Sequence, residues 1–221
     1  MGVANLAVVL AGGIGSRSGL DIPKQLFTWD GRTVLGRAID VFVRHPRIDR
    51  VVVTAPGDLV ETIAEQEPDV CVVAGGATRQ DSVVAALQHV ADDDLVLIHD
   101  AVRPFLPAEV VDRCLEALID HDAVGTVVAA VDTIYRVAPD GGELLDVPAR
   151  DALRQAQTPQ AFRGAVIKDA HRRATAAGSA VTDDCSAVLQ HRPDVSIALV
   201  EGDVRNIKLT TPEDFARLGL G

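Results

Sequence analysis

The chain has 221 residues, 48% of them hydrophobic, which is enough to fill the core of one large domain. A formal net charge of −11 opposes general attraction to nucleic acid or to an anionic membrane surface, so any phosphate ligand has to be held by a local cluster of donors. Cys71, Cys114 and Cys185 are odd in number, widely spaced and without a CxxC or histidine pattern, which argues against a disulfide framework or a zinc site and for a reducing cytoplasm.

The first predicted element is a strand at LAVVL (6–10). Its apolar stretch is too short to span a bilayer and has no basic segment before it, so it reads as a buried strand and not as a leader. RVVVTA (50–55), VCVVAG (70–75), LVLIHD (95–100) and AVGTVVAAV (123–131) are continuous β-branched runs, as expected of strands covered on both faces. Helical spacing occupies the intervals 34–45, 58–66, 79–91 and 107–121. This alternation predicts an α/β fold, a mostly parallel open sheet with helices on both faces and right-handed crossovers. Residues 132–157 break the pattern: PDGG sits between two short segments, the signature of a protruding β-hairpin. A helix at 163–176, a strand near 195–202 and a last helix after TTPED (210–214) complete the expectation. With no repeat or low-complexity linker, the chain is read as a single domain over 1–221 with an arm at about 132–157.

The loop AGGIGSRSGLDIPKQ (11–25) follows the first strand, at the carboxyl edge where α/β sheets bind ligands. Gly12, Gly13 and Gly15 allow backbone N–H groups to approach an anion, and Arg17 and Lys24 add charge, a combination suited to a polyphosphate. Neither familiar phosphate loop fits. Lys24 is followed by Gln25, which breaks GxxxxGK[ST], and a GxGxxG begun at Gly13 meets Ser18 at its last position. Asp100 ends a strand and is expected over the same crevice, either serving a ligand or paired locally with Arg103. His99, alone beside an aliphatic strand, reads as a packing residue. GGATRQDS (75–82) offers backbone donors, acceptors and Ser82 to a pyrimidine edge; on its own it is also an ordinary helix start with Thr78 or Asp81 as cap.

Taken together and in order, AGGIGSRxG with PKQ, HDAVRPF (99–105), DT (132–133), QTPQAF (157–162), TDD (182–184) and NIKLTTPED (206–214) resemble the cytidylyltransferases that act on polyol phosphates. The resemblance implies a Rossmann-like nucleotidyltransferase fold and attack of a phosphate monoester on the α-phosphorus of CTP. It implies Arg17, Lys24 and Lys208 around the α-phosphate, and Mg²⁺ bound mainly through the CTP phosphates with no dedicated protein metal site. It puts Gly76, Ala77, Arg79 and Ser82 against the base, with Ala11 and Gly12 opposite. Ala77 stands where relatives often carry a polar residue, so only backbone recognition survives there. Asp100 and Arg103 are implied near the polyol. Thr133 and Arg150 on an exchanged arm, helped by Thr182, are implied to grip the phosphate bound by a second copy in a homodimer. The substrate expectation is 2-C-methyl-D-erythritol 4-phosphate, with D-ribitol 5-phosphate as the alternative favoured by AVDTI and the proline two before Arg150. A non-catalytic nucleotide-binding protein and a dehydrogenase are further alternatives, weakened by the intact basic set and by the failed GxGxxG.

Overall fold

The computed structural model describes residues 2–12 and 23–217. Its first strand, β1 (Asn5–Leu10), is buried on both faces: Leu6 and Val8 pack to one side, Ala7 and Val9 to the other, as the two-residue period of a strand requires. β4 (Arg50–Ala55), β5 (Cys71–Ala74), β6 (Leu95–Asp100), β7 (Ala123–Ala129) and β11 (Ile197–Glu201) follow, with β10 (Arg154–Arg163) between the last two in sequence. Among the described residues the seven strands lie in the order β11-β7-β10-β6-β1-β4-β5. Every pairing is parallel except those of β10, which runs antiparallel to both β6 and β7. A two-stranded ribbon, β2 (Thr28–Trp29) with β3 (Arg32–Thr33), precedes the first helix.

Helices α1 (Val34–Val43), α2 (Val60–Gln66) and α4 (Ala108–Ala117) cover one face of the sheet, where Leu35, Ile39 and Phe42 of α1 meet Val9, Val53 and Leu97. The stripe on α1 follows its i, i+4, i+7 spacing, and each such side chain contributes on the order of 2 kcal/mol by leaving water. Thr33 starts that helix by accepting the Gly36 N–H at 2.9 Å. The other face is covered by α3 (Arg79–Leu87), α5 (Gly164–Ala176) and α6 (Asp184–His191), which bring Val83, Ile167 and Val188 onto Leu6, Val8 and Ile98. Helix α7 (Pro212–Arg217) follows Thr210 and Thr211, whose N–H groups donate to Asp214 Oδ2 at 2.7 and 2.8 Å.

The α/β class, the parallel strands and the helix positions agree with expectation. The predicted arm needs a smaller boundary. Its hairpin, β8 (Arg136–Val137) with β9 (Leu144–Asp146), turns at Gly141, where φ is +76° and a side chain would be strained. Residues 154–157 belong instead to β10, paired with β7 from Arg154↔Ala129 to Gln157↔Thr126. Strand β10, helix α6 and the β2–β3 ribbon have no counterpart in the sequence-based expectation.

Candidate active site

Three loops leave the carboxyl edge of the sheet side by side. Backbone bonds tie them together: the N–H groups of Ala11, Gly75 and Ala101 donate to the carbonyls of Thr54, Ala55 and Leu10 at 2.8, 2.7 and 3.1 Å. The Ser82 hydroxyl sits among the glycines. It donates to Thr78 O at 3.0 Å and accepts the Gly76 N–H at 3.2 Å. A Cβ at Gly12 or Gly75 would come within 3.0 or 2.8 Å of Ser82 Oγ, and one at Gly76 would overlap Asp81, so this approach requires residues without side chains. Thr78 and Asp81 both cap α3, each accepting from the other's backbone N–H. Ala11, Gly12, Gly76 and Ser82 are thus brought together, and Ala77 is exposed beside them.

Arg79 points elsewhere. Its Nη2 donates to Asp184 Oδ2 at 2.7 Å, and its Nε lies 3.6 Å from Asp100 Oδ1. Asp100 is the centre of a cationic group: Lys208 Nζ donates to its Oδ2 at 2.8 Å and Arg103 Nε lies 4.0 Å away. Burial by itself would raise the Asp100 carboxyl, but Lys208, Arg79 and Arg103 outweigh it and hold it down to about 2. The local pairing of Asp100 with Arg103 is therefore present, and Asp100 stands at the carboxyl end of β6. Arg103 is anchored through Nη1 to Asn206 O at 2.8 Å, and Asn206 Nδ2 donates to Thr158 O at 2.7 Å. Thr158 Oγ1 in turn accepts the Asp100 N–H at 3.1 Å and lies 3.0 Å from His99 Nδ1, while His99 Nε2 faces Arg103 O at 3.1 Å.

Lys24 lies at the same corner. Lys24 Nζ donates to Leu209 O at 3.1 Å, one residue from Lys208. Leu209 is itself fixed, fully buried with Val34 and Phe215 and donating its N–H to Val102 O at 2.9 Å. Gly13, Gly15 and Arg17 lie outside the described residues. Thr133, Arg150 and Thr182 are exposed. Arg150 Nη1 donates to Val131 O at 3.1 Å across the base of the arm, and Thr182 Oγ1 donates to Ser186 Oγ at 3.4 Å.

The sequence reading assigned no role to Thr158, Gln160, His171, Asp184 or Asn206. QTPQAF, TDD and NIK contain four of them, but nothing in those strings says which side chains turn inward. Asp184 is fully buried, bonded to His171 Nε2 at 3.0 Å as well as to Arg79. Burial would raise its carboxyl, and the bonds from His171 and Arg79 lower it instead. Volume alone does not mark the site. A groove of about 600 Å³ between α3 and α5 is lined by Leu87, Lys168 and Arg172, yet those cations are already paired with Asp92 and Asp169. Among the described residues no group of three His, Cys, Asp or Glu side chains is placed to hold a metal ion, and no helix is long and apolar enough to cross a membrane.

Residues 5–219 match the family described as 2-C-methyl-D-erythritol 4-phosphate cytidylyltransferase. The chain belongs to that family. The enzyme of that description from Thermobifida fusca (strain YX) is 42% identical over 223 residues, covering 95% of this chain and 90% of the relative. A bifunctional ribulose 5-phosphate reductase/CDP-ribitol pyrophosphorylase from Haemophilus influenzae is 36% identical over 96% of this chain, which spans about half of that protein (46%). Among solved structures, 4-diphosphocytidyl-2C-methyl-D-erythritol synthase from Anaerococcus prevotii superposes with a TM-score of 0.86 at 29% identity, over 97% of this chain and 94% of that one. The cytidylyltransferase family thus accounts for the α/β fold and for the ordered motifs, and makes the chain a CTP-dependent nucleotidyltransferase.

Proposed function

We propose that this chain transfers the cytidylyl group of CTP to 2-C-methyl-D-erythritol 4-phosphate, with pyrophosphate as the leaving group. The observation that carries this reading is the meeting of Lys24, Lys208 and Asp100 at one sheet edge in a chain of this family. A phosphate oxygen of the polyol forms a bond to the α-phosphorus while the bridging bond to the β-phosphate breaks. Both reactants are anions, so the barrier is largely electrostatic. Cations fixed in advance near the α-phosphate lower it, one such donor contributing about 3 to 4 kcal/mol in comparable oxyanion sites. Arg17, Lys24 and Lys208 fill that role. No protein base is needed, because the attacking phosphate is already ionised.

The base rests against Ala11, Gly12, Gly76, Ala77 and Ser82, where backbone groups read its edge. The Asp100 carboxylate, ionised throughout the physiological range, accepts from polyol hydroxyls, and Arg103 stands behind it. A divalent cation carried in by the nucleotide fits the described residues: Asp100 is the carboxylate they offer beside Lys208, and Mg²⁺ is content with one or two carboxylates plus phosphate oxygens. When bound it neutralises the leaving pyrophosphate.

The arm exposes Ile134, Tyr135, Val137, Leu144 and Leu145, an apolar surface that a second copy would cover, and this supports a homodimer in which Thr133 and Arg150 reach the substrate phosphate of the partner with help from Thr182. An arginine suits that task through its planar pair of donors. Each copy is a single domain working in the cytoplasm, its site completed by the arm of the other copy. D-Ribitol 5-phosphate is the second reading, favoured by the Haemophilus relative and by Pro148 beside Arg150. Pyrophosphate release from CTP and Mg²⁺, measured in parallel with each polyol phosphate and with glycerol 3-phosphate, tests both. Turnover with methylerythritol phosphate well above the others is expected, and preference for ribitol phosphate would reverse the assignment.

A further inference from the structure

We propose that Asp184 is a positioning residue: by tethering Arg79 it keeps that guanidinium from closing on Asp100, and so leaves the Asp100 carboxylate to Lys208 and the substrate. The proposal rests on the cytidylyltransferase reading above and adds to it a residue that touches no reacting atom. Asp184 lies in the first turn of α6 with no exposed surface, and both its carboxylate oxygens are engaged, Oδ1 by His171 Nε2 at 3.0 Å and Oδ2 by Arg79 Nη2 at 2.7 Å. Its backbone is pinned as well. Gln160 Oε1 on β10 accepts from the N–H groups of Asp184 and Cys185 at 3.0 and 2.9 Å, and Gln160 Nε2 donates to Asp183 Oδ2 at 2.7 Å. The same strand fixes Asp100 two residues earlier, through Thr158. The backbone amides of both aspartates are therefore held by side chains of one strand, and Arg79 is stretched between their carboxylates.

The distances are unequal in an informative way. A free arginine beside a carboxylate forms two parallel bonds to it. Here Arg79 is 3.6 Å from Asp100 at Nε, beyond hydrogen-bond range, because its far end is held by Asp184. Lys208 occupies Asp100 Oδ2 at 2.8 Å. Released from Asp184, the guanidinium would take both oxygens of Asp100 and compete with Lys208 for them. A buried ion pair is a poor device for stability alone, since desolvation consumes most of its attraction. Its location one side chain away from Asp100 gives it a task.

The test compares Asp184→Asn, Arg79→Gln and the double variant with the wild type, measuring kcat, KM for CTP and Tm. Asp184→Asn is expected to lose kcat by roughly 10- to 100-fold with KM for CTP near wild type, the size that misplacement of a reacting group produces. The double variant is expected to be no slower than the slower single one, because without Arg79 there is nothing to tether; multiplied effects would indicate independent roles and overturn the proposal. So would a folded Asp184→Asn chain with unchanged kcat, whatever its Tm. A crystal structure of Asp184→Asn gives a readout free of turnover: Arg79 closed on Asp100 with Lys208 displaced is expected, and unchanged spacings refute the tether. If that variant does not fold, His171→Gln removes one anchor of Asp184 and carries the same expectation at smaller size. Wild-type chain that turns over no polyol phosphate would refute the functional reading, while the crystallographic arm would still judge the tether.

Discussion

The His99 ring has a partner at each nitrogen, the Thr158 hydroxyl at Nδ1 and the Arg103 carbonyl at Nε2, and one neutral tautomer with its proton on Nε2 satisfies both. Burial pushes the imidazole down from 6.5 to about 4. The unfolded chain therefore takes up a proton that the folded chain refuses, and stability falls as pH drops from 6.5 to 4, by roughly 3 kcal/mol for this group. His99→Gln should flatten that part of a plot of denaturation midpoint against pH; an undiminished slope would assign the protonation to another residue. Gly76→Ala addresses the nucleotide side. The added methyl would overlap Asp81, half of the α3 cap, so a loss of about 1 to 3 kcal/mol and a raised KM for CTP are expected from melting and kinetic measurements. At this scale the sequence spoke clearly where placement follows from residue type and strand position, as with the glycines that pack on Ser82 and the aspartate ending β6. It was silent on Asp184, because an aspartate at a helix start looks the same whether it caps, faces water or is buried against an arginine 105 positions away.

Among the elements, strands β1, β4, β5, β6 and β7 were legible from their continuous apolar runs, and the intervening helices from their hydrophobic period. Strand β10 was not, for a physical reason: QTPQAF is largely polar and contains Pro159, which cannot donate to a ladder and ordinarily argues against a central strand. The sheet accommodates it with a register shift between Gln157 and Ala161, and the polar side chains find partners in Asp203, His99 and Asp183. Helix α6 was hidden because its buried stripe is Asp184, Ala187 and Val188, with a carboxylate where an apolar period wants a hydrophobe; a reciprocal cap of Asp183 and Ser186 begins it. The shorter arm boundary has a practical consequence. If the arm carries the proposed homodimer and Arg150 serves a neighbouring site, replacing 134–147 by a tight turn should leave the sheet folded, abolish association and reduce turnover by roughly 100-fold or more. Sedimentation and activity read the two effects. A folded monomer with full turnover would remove Thr133 and Arg150 from the mechanism. Cutting to 157 instead removes four paired residues of β10 and should unfold the chain.

For the molecule as a whole, acidity and substrate are in tension. A chain of net charge −11 has to admit a triphosphate and a phosphorylated polyol, so its positive groups must be few, fixed and clustered. Binding should register in global stability: CTP with Mg²⁺ at about 100 times its Kd adds about 2.7 kcal/mol and raises Tm, whereas NAD leaves it unmoved. A larger shift with NAD would revive the dehydrogenase alternative.

Strand β10 enters the sheet at Arg154, just beyond the arm, and reaches Thr158 after four residues, about 13 Å of extended backbone. Thr158 holds the amide of Asp100. Arm and Asp100 amide are therefore joined by one short, sheet-paired run of backbone. Under the proposed homodimer, a change at the arm would reach the reaction floor through four residues of paired strand, which ties assembly to catalysis as well as to packaging.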